Sequence, residues 1–417
     1  MRKHNETQSI RERIRHLAIT EDIYYKKTLK FRAWKQEFLF RVSQDLFSSF
    51  DIDKGTRLLL RTVLEAGYEY DSVLDMGCGY GPLGLTVKKL RPGTAVTLAD
   101  RDALAVAYAR QNAVLNGIEG AEVVGSLGYD DLPPYHYDLI LSNIPGKAGP
   151  PVISYLLREA AYHLMSGGIA AVVVVSPIAE LVRQTLVSCG ATIIKEFTRS
   201  DHAIFHYRFS GVLERRPELS SFERGIYDRQ SIDIKYDGTD YSLKTVYGLP
   251  EFDSLHYATG LLVNALAEVD VRKGWRVAML NPGQGHAAVY IGKLLAPSAI
   301  VLMDRDILAL RTARRNLVIN GYPGEGIEIQ HRAGWGNNRQ VDIICGVIRE
   351  DEGQQVYLKL LDDILADLAA GGFYVAAGTS TAITRLVTQV EEKSLNAVVK
   401  GRKKSKGYSS VVLEKLP

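Results

Sequence analysis

The chain has 417 residues, 46% hydrophobic and 24% charged, with a formal net charge of +3. That length implies two or three domains with substantial cores, and the near-neutral balance excludes a uniformly basic nucleic-acid-binding surface. The longest purely apolar run, IAAVVVV at 169–175, is far shorter than the ~20 residues a membrane span needs; it predicts a buried strand and no membrane partner.

The first residues, MRKHNETQSIRERIRH, are charged and lack the apolar stretch of a secretory signal. Cys78, Cys189 and Cys345 are far apart and odd in number, so they offer neither a disulfide framework nor zinc spacing. A cytoplasmic location without a metal site is expected. Residues 1–35 are expected to form a basic helical arm carrying Arg11, Arg13, Arg15, Lys26, Lys27, Lys30, Arg32 and Lys35. A second basic run, KGRKKSKG, lies at 400–407. Both ends have the charge to meet phosphates, or simply to solvate a helix face and a hairpin loop.

From residue 36 to 210, short apolar runs alternate with stretches of helical period. SVLDMG, AVTLAD, AEVVGS, YDLILS and AAVVVVS predict strands, and GPLGLTVKKL and DALAVAYARQNAVLNG predict helices. Strands separated by helices imply an α/β domain with a parallel sheet covered on both faces. Residues 213–230 are polar and without apolar period, so 211–235 is expected to be a linker.

From residue 236 to 417 the same text returns. LADRDALAVAYARQNAVLNG at 98–117 and LMDRDILALRTARRNLVING at 302–321 share twelve of twenty positions. SVLDMGCGYG lies opposite RVAMLNPGQG, and YDLILSN opposite VDIICGV. A period near 203 residues is the size of a whole domain, so the chain is a tandem duplication.

In copy one a strand ends at Asp75 and is followed by Gly77, Cys78, Gly79 and Gly81, then a helix. Glycines there let the backbone turn sharply and approach a ligand, and the helix N-terminus favours a carboxylate or phosphate. Gly79, Gly81 and Gly84 also fit G-x-G-x-x-G, the dinucleotide fingerprint. Asp75 argues against that ligand, because its carboxylate would repel a pyrophosphate and suits a group carrying an ammonium. Asp100 ends the second strand, where an acid suits a ribose diol. The strand at 137–142 runs into Asn143, Ile144 and Pro145. An amide oxygen and the next carbonyl at such a corner can accept two N–H bonds of an amine and aim its lone pair.

The form D-x-G-x-G-x-G resembles motif I of class I S-adenosylmethionine-dependent methyltransferases, and S-N-I-P resembles the N/D-P-P-Y/F corner of those acting on exocyclic amines. The duplication, with Phe47–Ser48 and the segment Asp53-x-Gly55-Thr56-x-x-Leu-Leu before motif I, resembles the tandem-domain ribosomal RNA guanine-N2 methyltransferases. The resemblance implies two Rossmann-like methyltransferase domains, one degenerate, with S-adenosylmethionine as cofactor and ribosomal RNA as partner. It implies that Asp75, Gly77, Cys78, Gly79 and Gly81 hold the methionine end. Asp100 and Arg101 would lie at the ribose, and Ser126 and Leu127 at the adenine. Asn143, Ile144 and Pro145 would orient the acceptor nitrogen, with Asn143 also beside the cofactor.

In that family the active copy is the second; here it is expected to be the first. Copy two has Met279 for Asp75, Asn281 for Gly77 and Pro282 for Cys78, and Val347–Ile348–Arg349 for the Asn143 corner. It retains Gly283, Gly285 and Asp304, which leaves residual cofactor binding as the alternative to a degenerate partner. Gly146 stands where the base-stacking aromatic is expected, and Lys147 follows it. A methyltransferase acting on a small molecule or protein, and a scaffold with two inactive copies, remain as alternatives. Oligomeric state is left open.

Overall fold

The structure is a computed structural model that describes residues 22–210, 217–236, 238–269, 274–336 and 340–417. The chain divides into two units, Met1–Tyr227 and Asp228–Pro417. Among the described residues no helix is long and apolar enough to cross a membrane.

Unit 1 runs β1 (Tyr25–Ala33), β2 (Gln36–Ser43), α1 (Lys54–Glu65), β3 (Ser72–Met76), α2 (Pro82–Leu90), β4 (Ala95–Asp100), α3 (Ala103–Leu115), β5 (Ala121–Gly125), β6 (Tyr137–Asn143), α4 (Pro150–Glu159), β7 (Leu164–Val175), α5 (Ala179–Ser188), β8 (Thr192–Thr198) and β9 (His202–Arg208). Its main sheet has the order β5-β4-β3-β6-β7-β9-β8. Strands β3 to β7 are mutually parallel, and β9 runs antiparallel to both neighbours. The apolar run at 169–175 lies in β7, buried between β6 and β9. The strand order reverses direction between β3 and β6, and ligands of such sheets bind at the strand C-termini beside that switch point.

Unit 2 repeats the plan: β10 (Asp228–Tyr236), β11 (Thr239–Val246), α6 (Tyr257–Ala267), β12 (Arg276–Leu280), α7 (His286–Leu295), β13 (Ala299–Asp304), α8 (Ile307–Ile319), β14 (Ile327–His331), β15 (Val341–Val347), α9 (Gln354–Asp367), β16 (Leu368–Thr379), α10 (Ser380–Glu392), β17 (Ala397–Ser405) and β18 (Tyr408–Lys415). Its sheet order, β14-β13-β12-β15-β16-β18-β17, is that of unit 1 element for element.

Two boundaries differ from expectation. The helical arm expected over 1–35 is not a helix where it is described: β1 pairs antiparallel with β2. Leu29, Phe31 and Ala33 are buried while Lys30 and Arg32 are exposed, a period of two that fits a strand with one covered face. Residues 1–21 lie outside the described residues. The linker expected over 211–235 is likewise structured in part. Residues 217–227 are held to unit 1, where Ser221 donates its N–H and Oγ–H to Asp130 and Arg224 pairs with Glu159 at 3.0 Å. Residues 228–236 are β10, paired with β11 in unit 2. Residues 211–216 lie outside the described residues.

The duplicated stretch at 98–117 and 302–321 owes its asparagines to these hairpins. Asn112 Oδ1 accepts the Arg41 N–H at 2.7 Å, and its Nδ2 donates to the carbonyls of Arg41 and Tyr80. Asn116 treats Leu39 in the same way. In unit 2, Asn316 binds Lys244 and the Gln284 carbonyl, and Asn320 binds Ser242. Each amide acts as a one-residue strand, satisfying an outward N–H and C=O of the hairpin; at Arg41 these would otherwise be buried unpaired.

Asn112→Ala strips partners from one buried N–H and two carbonyls. It is expected to lower the unfolding free energy of unit 1 by about 2–3 kcal/mol, read as an earlier urea transition by a probe in that unit. Asn316→Ala should do the same to unit 2 alone.

Candidate active site

The switch point of unit 1 gathers the ends of β3, β4, β5 and β6, and with them Asp75, Asp100, Ser126 and Asn143. Between β3 and α2 the chain turns through Gly77 (φ 70°) and Gly79 (φ 56°), a backbone region costly for other residues. A Cβ at either position would meet nothing within 4 Å, so the loop opens onto space on its outer side.

The loop's N–H groups are turned inward. Gly77 and Cys78 donate to the Ala99 carbonyl, Gly79 to Asp100 Oδ2 at 2.8 Å, and Gly81 to the Cys78 carbonyl. The expected donors therefore hold the turn's shape, and what they leave is a fixed, open concavity. Cys78 is buried with Sγ toward the Gly79 carbonyl, and burial pushes its thiol pKa well up; it is a packing residue.

Asp75 lies beneath this concavity, with no exposed surface. Its Oδ2 accepts the Gly84 N–H at 2.7 Å at the start of α2, whereas Oδ1 is buried with no hydrogen-bond partner. Gly84 is required there, because a Cβ would come within 3.0 Å of the carboxylate and 2.9 Å of Leu98. Burial, opposed by the Gly84 bond and reinforced by nearby Asp100, pushes the Asp75 carboxyl up to about 7. Asp100 accepts the N–H groups of Gly79 and Asp102. Burial, with Asp102 nearby, raises it to about 6. Arg101 follows, half-buried. The Ser126 N–H binds the Asp100 carbonyl, its Oγ donates to the Gly128 carbonyl, and the Leu127 N–H donates to Asp131. Ser126 and Leu127 are thus a buried, internally satisfied wall beside Asp100.

At the end of β6, Asn143 Nδ2 donates to Asp53 Oδ2 and to Thr56 Oγ1, both at 3.0 Å. These two bonds use both amide hydrogens and fix which side of the amide bears oxygen. The adjacent Ile144 is buried and donates its N–H to the Val173 carbonyl. Pro145 is exposed, and its carbonyl accepts the Ala148 N–H in a tight turn. Gly146 and Lys147 are exposed.

Asp53 and Thr56 were not among the expected site residues, although their segment was visible before motif I. Asp53 caps α1 by accepting the Thr56 N–H, and holds Asn143 with the same oxygen. Gly55 clears the space, since a Cβ there would fall 2.8 Å from both the Asp53 carboxylate and the His202 ring. The D-x-G-T pattern is therefore a support for the Asn143 amide.

Residues 37–190 match the methyltransferase small domain family. The uncharacterized protein YbxB of Bacillus subtilis is 31% identical over 144 residues, 34% of this chain and 71% of that protein. The chain belongs to the class I S-adenosylmethionine-dependent methyltransferases. Ribosomal RNA small subunit methyltransferase C of Pseudomonas entomophila is 42% identical over 127 residues, 30% of this chain. The match spans 37% of that relative's length. In fold, this methyltransferase resembles over 94% of its chain the T. thermophilus 16S rRNA N2 G1207 methyltransferase (RsmC) in complex with AdoMet and guanosine. That likeness has a TM-score of 0.65 at 16% identity and covers 99% of the other chain.

The corresponding corner of unit 2 is closed by its own side chains. Arg349, in the position of Pro145, reaches Asp304 Oδ1 at 2.6 Å, and Arg305 pairs with Glu352 at 3.0 Å. Met279 is buried where Asp75 stands in unit 1, and Asn281 Nδ2 donates to the Val347 carbonyl. A cavity of about 40 Å³ remains between these groups. The retained acid Asp304 is engaged by a cation from within the chain.

Arg349→Ala is expected to destabilise unit 2 by about 3 kcal/mol, because it leaves a buried carboxylate without its cation. Circular dichroism melting should show this, with unit 1 unaffected. Asp75 has no such cation. Its carboxyl binds its proton more tightly folded than unfolded, so free unit 1 loses stability as pH rises from the ordinary carboxylate range to about 7. Asp75→Asn is therefore expected to raise the melting temperature of the unligated protein at pH 8 and to change it little at pH 5.

Proposed function

We propose that unit 1 transfers a methyl group from S-adenosylmethionine to the exocyclic amine of a guanine in ribosomal RNA. The observation that carries this is the Asn143 amide. With both hydrogens committed to Asp53 and Thr56, its oxygen is the acceptor presented at the strand corner. An oxygen there, with the Ile144 carbonyl beside it, accepts the two N–H bonds of a planar amine and directs the nitrogen lone pair out of that plane. Catalysis of this kind is largely positioning.

The residues of the concavity fit the cofactor. The unpartnered Asp75 Oδ1 suits an ammonium group, open space lies over Gly77 and Gly79, and Asp100 suits a vicinal diol. Bound there, S-adenosylmethionine supplies an electrophilic methyl group. Asp75 and the glycine loop would hold the amino-acid end, Asp100 with Arg101 the ribose, and the Ser126–Leu127 wall would border the adenine. Pro145 and the turn it starts stiffen the corner. The names of the Pseudomonas relative and of the T. thermophilus structure support ribosomal RNA and guanine as substrate.

The test is incubation with methyl-labelled S-adenosylmethionine and ribosomal RNA, followed by nucleoside digestion. N2-methylguanosine is the expected product; label confined to protein or small molecules would overturn the RNA assignment. Asn143→Ala and Asp53→Ala are expected to lower kcat about 100-fold, while S-adenosylhomocysteine affinity changes little. Affinity for S-adenosylhomocysteine should rise with pH, by up to tenfold per unit, and level off above about pH 7, as Asp75 becomes charged in the free protein. Calorimetric titration from pH 5.5 to 8 checks this, and Asp75→Asn should remove most of the binding and the part of the slope near pH 7, leaving that of Asp100 near 6.

A further inference from the structure

The loop between β2 and α1, residues 44–53, connects the two halves of the proposed site. The Tyr80 hydroxyl, from the glycine loop, donates to the Ser48 carbonyl at 3.3 Å, and three residues after Phe50 comes Asp53, which holds Asn143. The loop backbone is pinned along its length. Ser49 Oγ donates to the Gln44 carbonyl, Lys27 Nζ to the Phe50 carbonyl, Lys26 Nζ to Ser49 Oγ, and Arg57 Nε to the Ile52 carbonyl. Ile52 is buried, yet Phe47 is 71% and Phe50 76% exposed.

Two phenyl rings left in water each forgo about 1.5–3 kcal/mol of burial, and here they sit on a loop too well tied to fold them away. Cations stand beside Phe50. Lys26 Nζ stands 3.5 Å and Lys27 Nζ 5.1 Å from the Phe50 ring centroid, and at the start of α1 lie Lys54, exposed and 3.7 Å from the exposed Asp201, and Arg57, paired with Asp51 at 2.6 Å. The aromatic expected after Pro145 is meanwhile absent. Gly146 occupies its place, and even a Cβ there would fall 2.8 Å from Val175 Cγ2.

From this juxtaposition we infer that Phe47 and Phe50 form a stacking platform for unpaired bases of the RNA substrate, with Lys26, Lys27 and Lys54 taking the adjoining phosphates. The inference rests on the RNA reading of the same site and names the part that grips the strand. Aromatic rings interleaved with lysines are the chemistry of single-stranded polynucleotide binding. Each stacked base contributes about 1–3 kcal/mol, and the phosphate contacts weaken with salt.

The experiment uses the full chain and a short single-stranded guanine-containing oligoribonucleotide. Phe50→Trp places a fluorophore in the platform, read as the difference from wild type, whose own tryptophans are Trp34, Trp275 and Trp335. Quenching of the added emission on titration is the expected result. The Phe47→Ala/Phe50→Ala double variant should bind the oligonucleotide at least tenfold more weakly, with S-adenosylhomocysteine affinity unchanged. An unquenched Phe50→Trp, or a double variant that binds RNA like wild type, overturns the platform. Quenching without methyl transfer to RNA keeps the platform and removes the proposed reaction. Methyl transfer with an unchanged KM for RNA in the double variant does the reverse.

Discussion

One side chain in each unit ties together what the fold needs to keep in register. Asn112 lies buried on α3, and its amide simultaneously closes the outer edge of the β1–β2 hairpin and caps the Tyr80 carbonyl of the glycine loop. The hairpin then fixes where the 44–53 loop begins, and that loop fixes where α1 starts. The start of α1 carries Asp53 and Thr56, which set the Asn143 amide. A packing asparagine thus stands at the head of a chain of contacts that ends at the proposed acceptor site.

Unit 2 preserves the clamp through Asn316 and Asn320 and alters the site. Comparing the two copies separates residues kept for shape from residues kept for chemistry. Both retain the loop glycines at positive φ, with Gly283 and Gly285 matching Gly79 and Gly81. Only unit 1 has a buried carboxylate under the loop, and only unit 1 has an amide at the strand corner. Unit 2 has Met279 and Val347 in those places, and Arg349, in the position of Pro145, pairs with Asp304, the site acid that survived.

Much of this was legible in the sequence because the patterns are local. The alternating elements, the duplication and the glycine loop all follow from short-range periodicity and spacing, and the sheets have the parallel core those patterns require. Asp75, Asp100 and Asn143 fall at strand ends that the sheet brings together. Over residues 25–33 the strand departs from the expected helix because Arg and Lys at 26–35 mask a period of two in Leu29, Phe31 and Ala33. Charge count suggested a solvated helix, whereas pairing with β2 decided the outcome. Asp53 and Thr56 were visible as a motif but not as partners of Asn143, which lies 90 and 87 residues away in sequence. The inward turn of the loop's N–H groups depended on the Ala99 carbonyl, which only the three-dimensional register supplies.

The contrast between Asp75 and Asp304 reaches beyond catalysis. Unit 2 answers one oxygen of Asp304 with its own Arg349, while the other oxygen is buried without a hydrogen-bond partner. Unit 1 leaves a carboxylate oxygen buried and unanswered, and a ligand that answers it stabilises the folded form in proportion to the logarithm of its concentration. On the proposed function, unit 1 is therefore also a gauge of ligand supply, its folded fraction following the ligand's concentration.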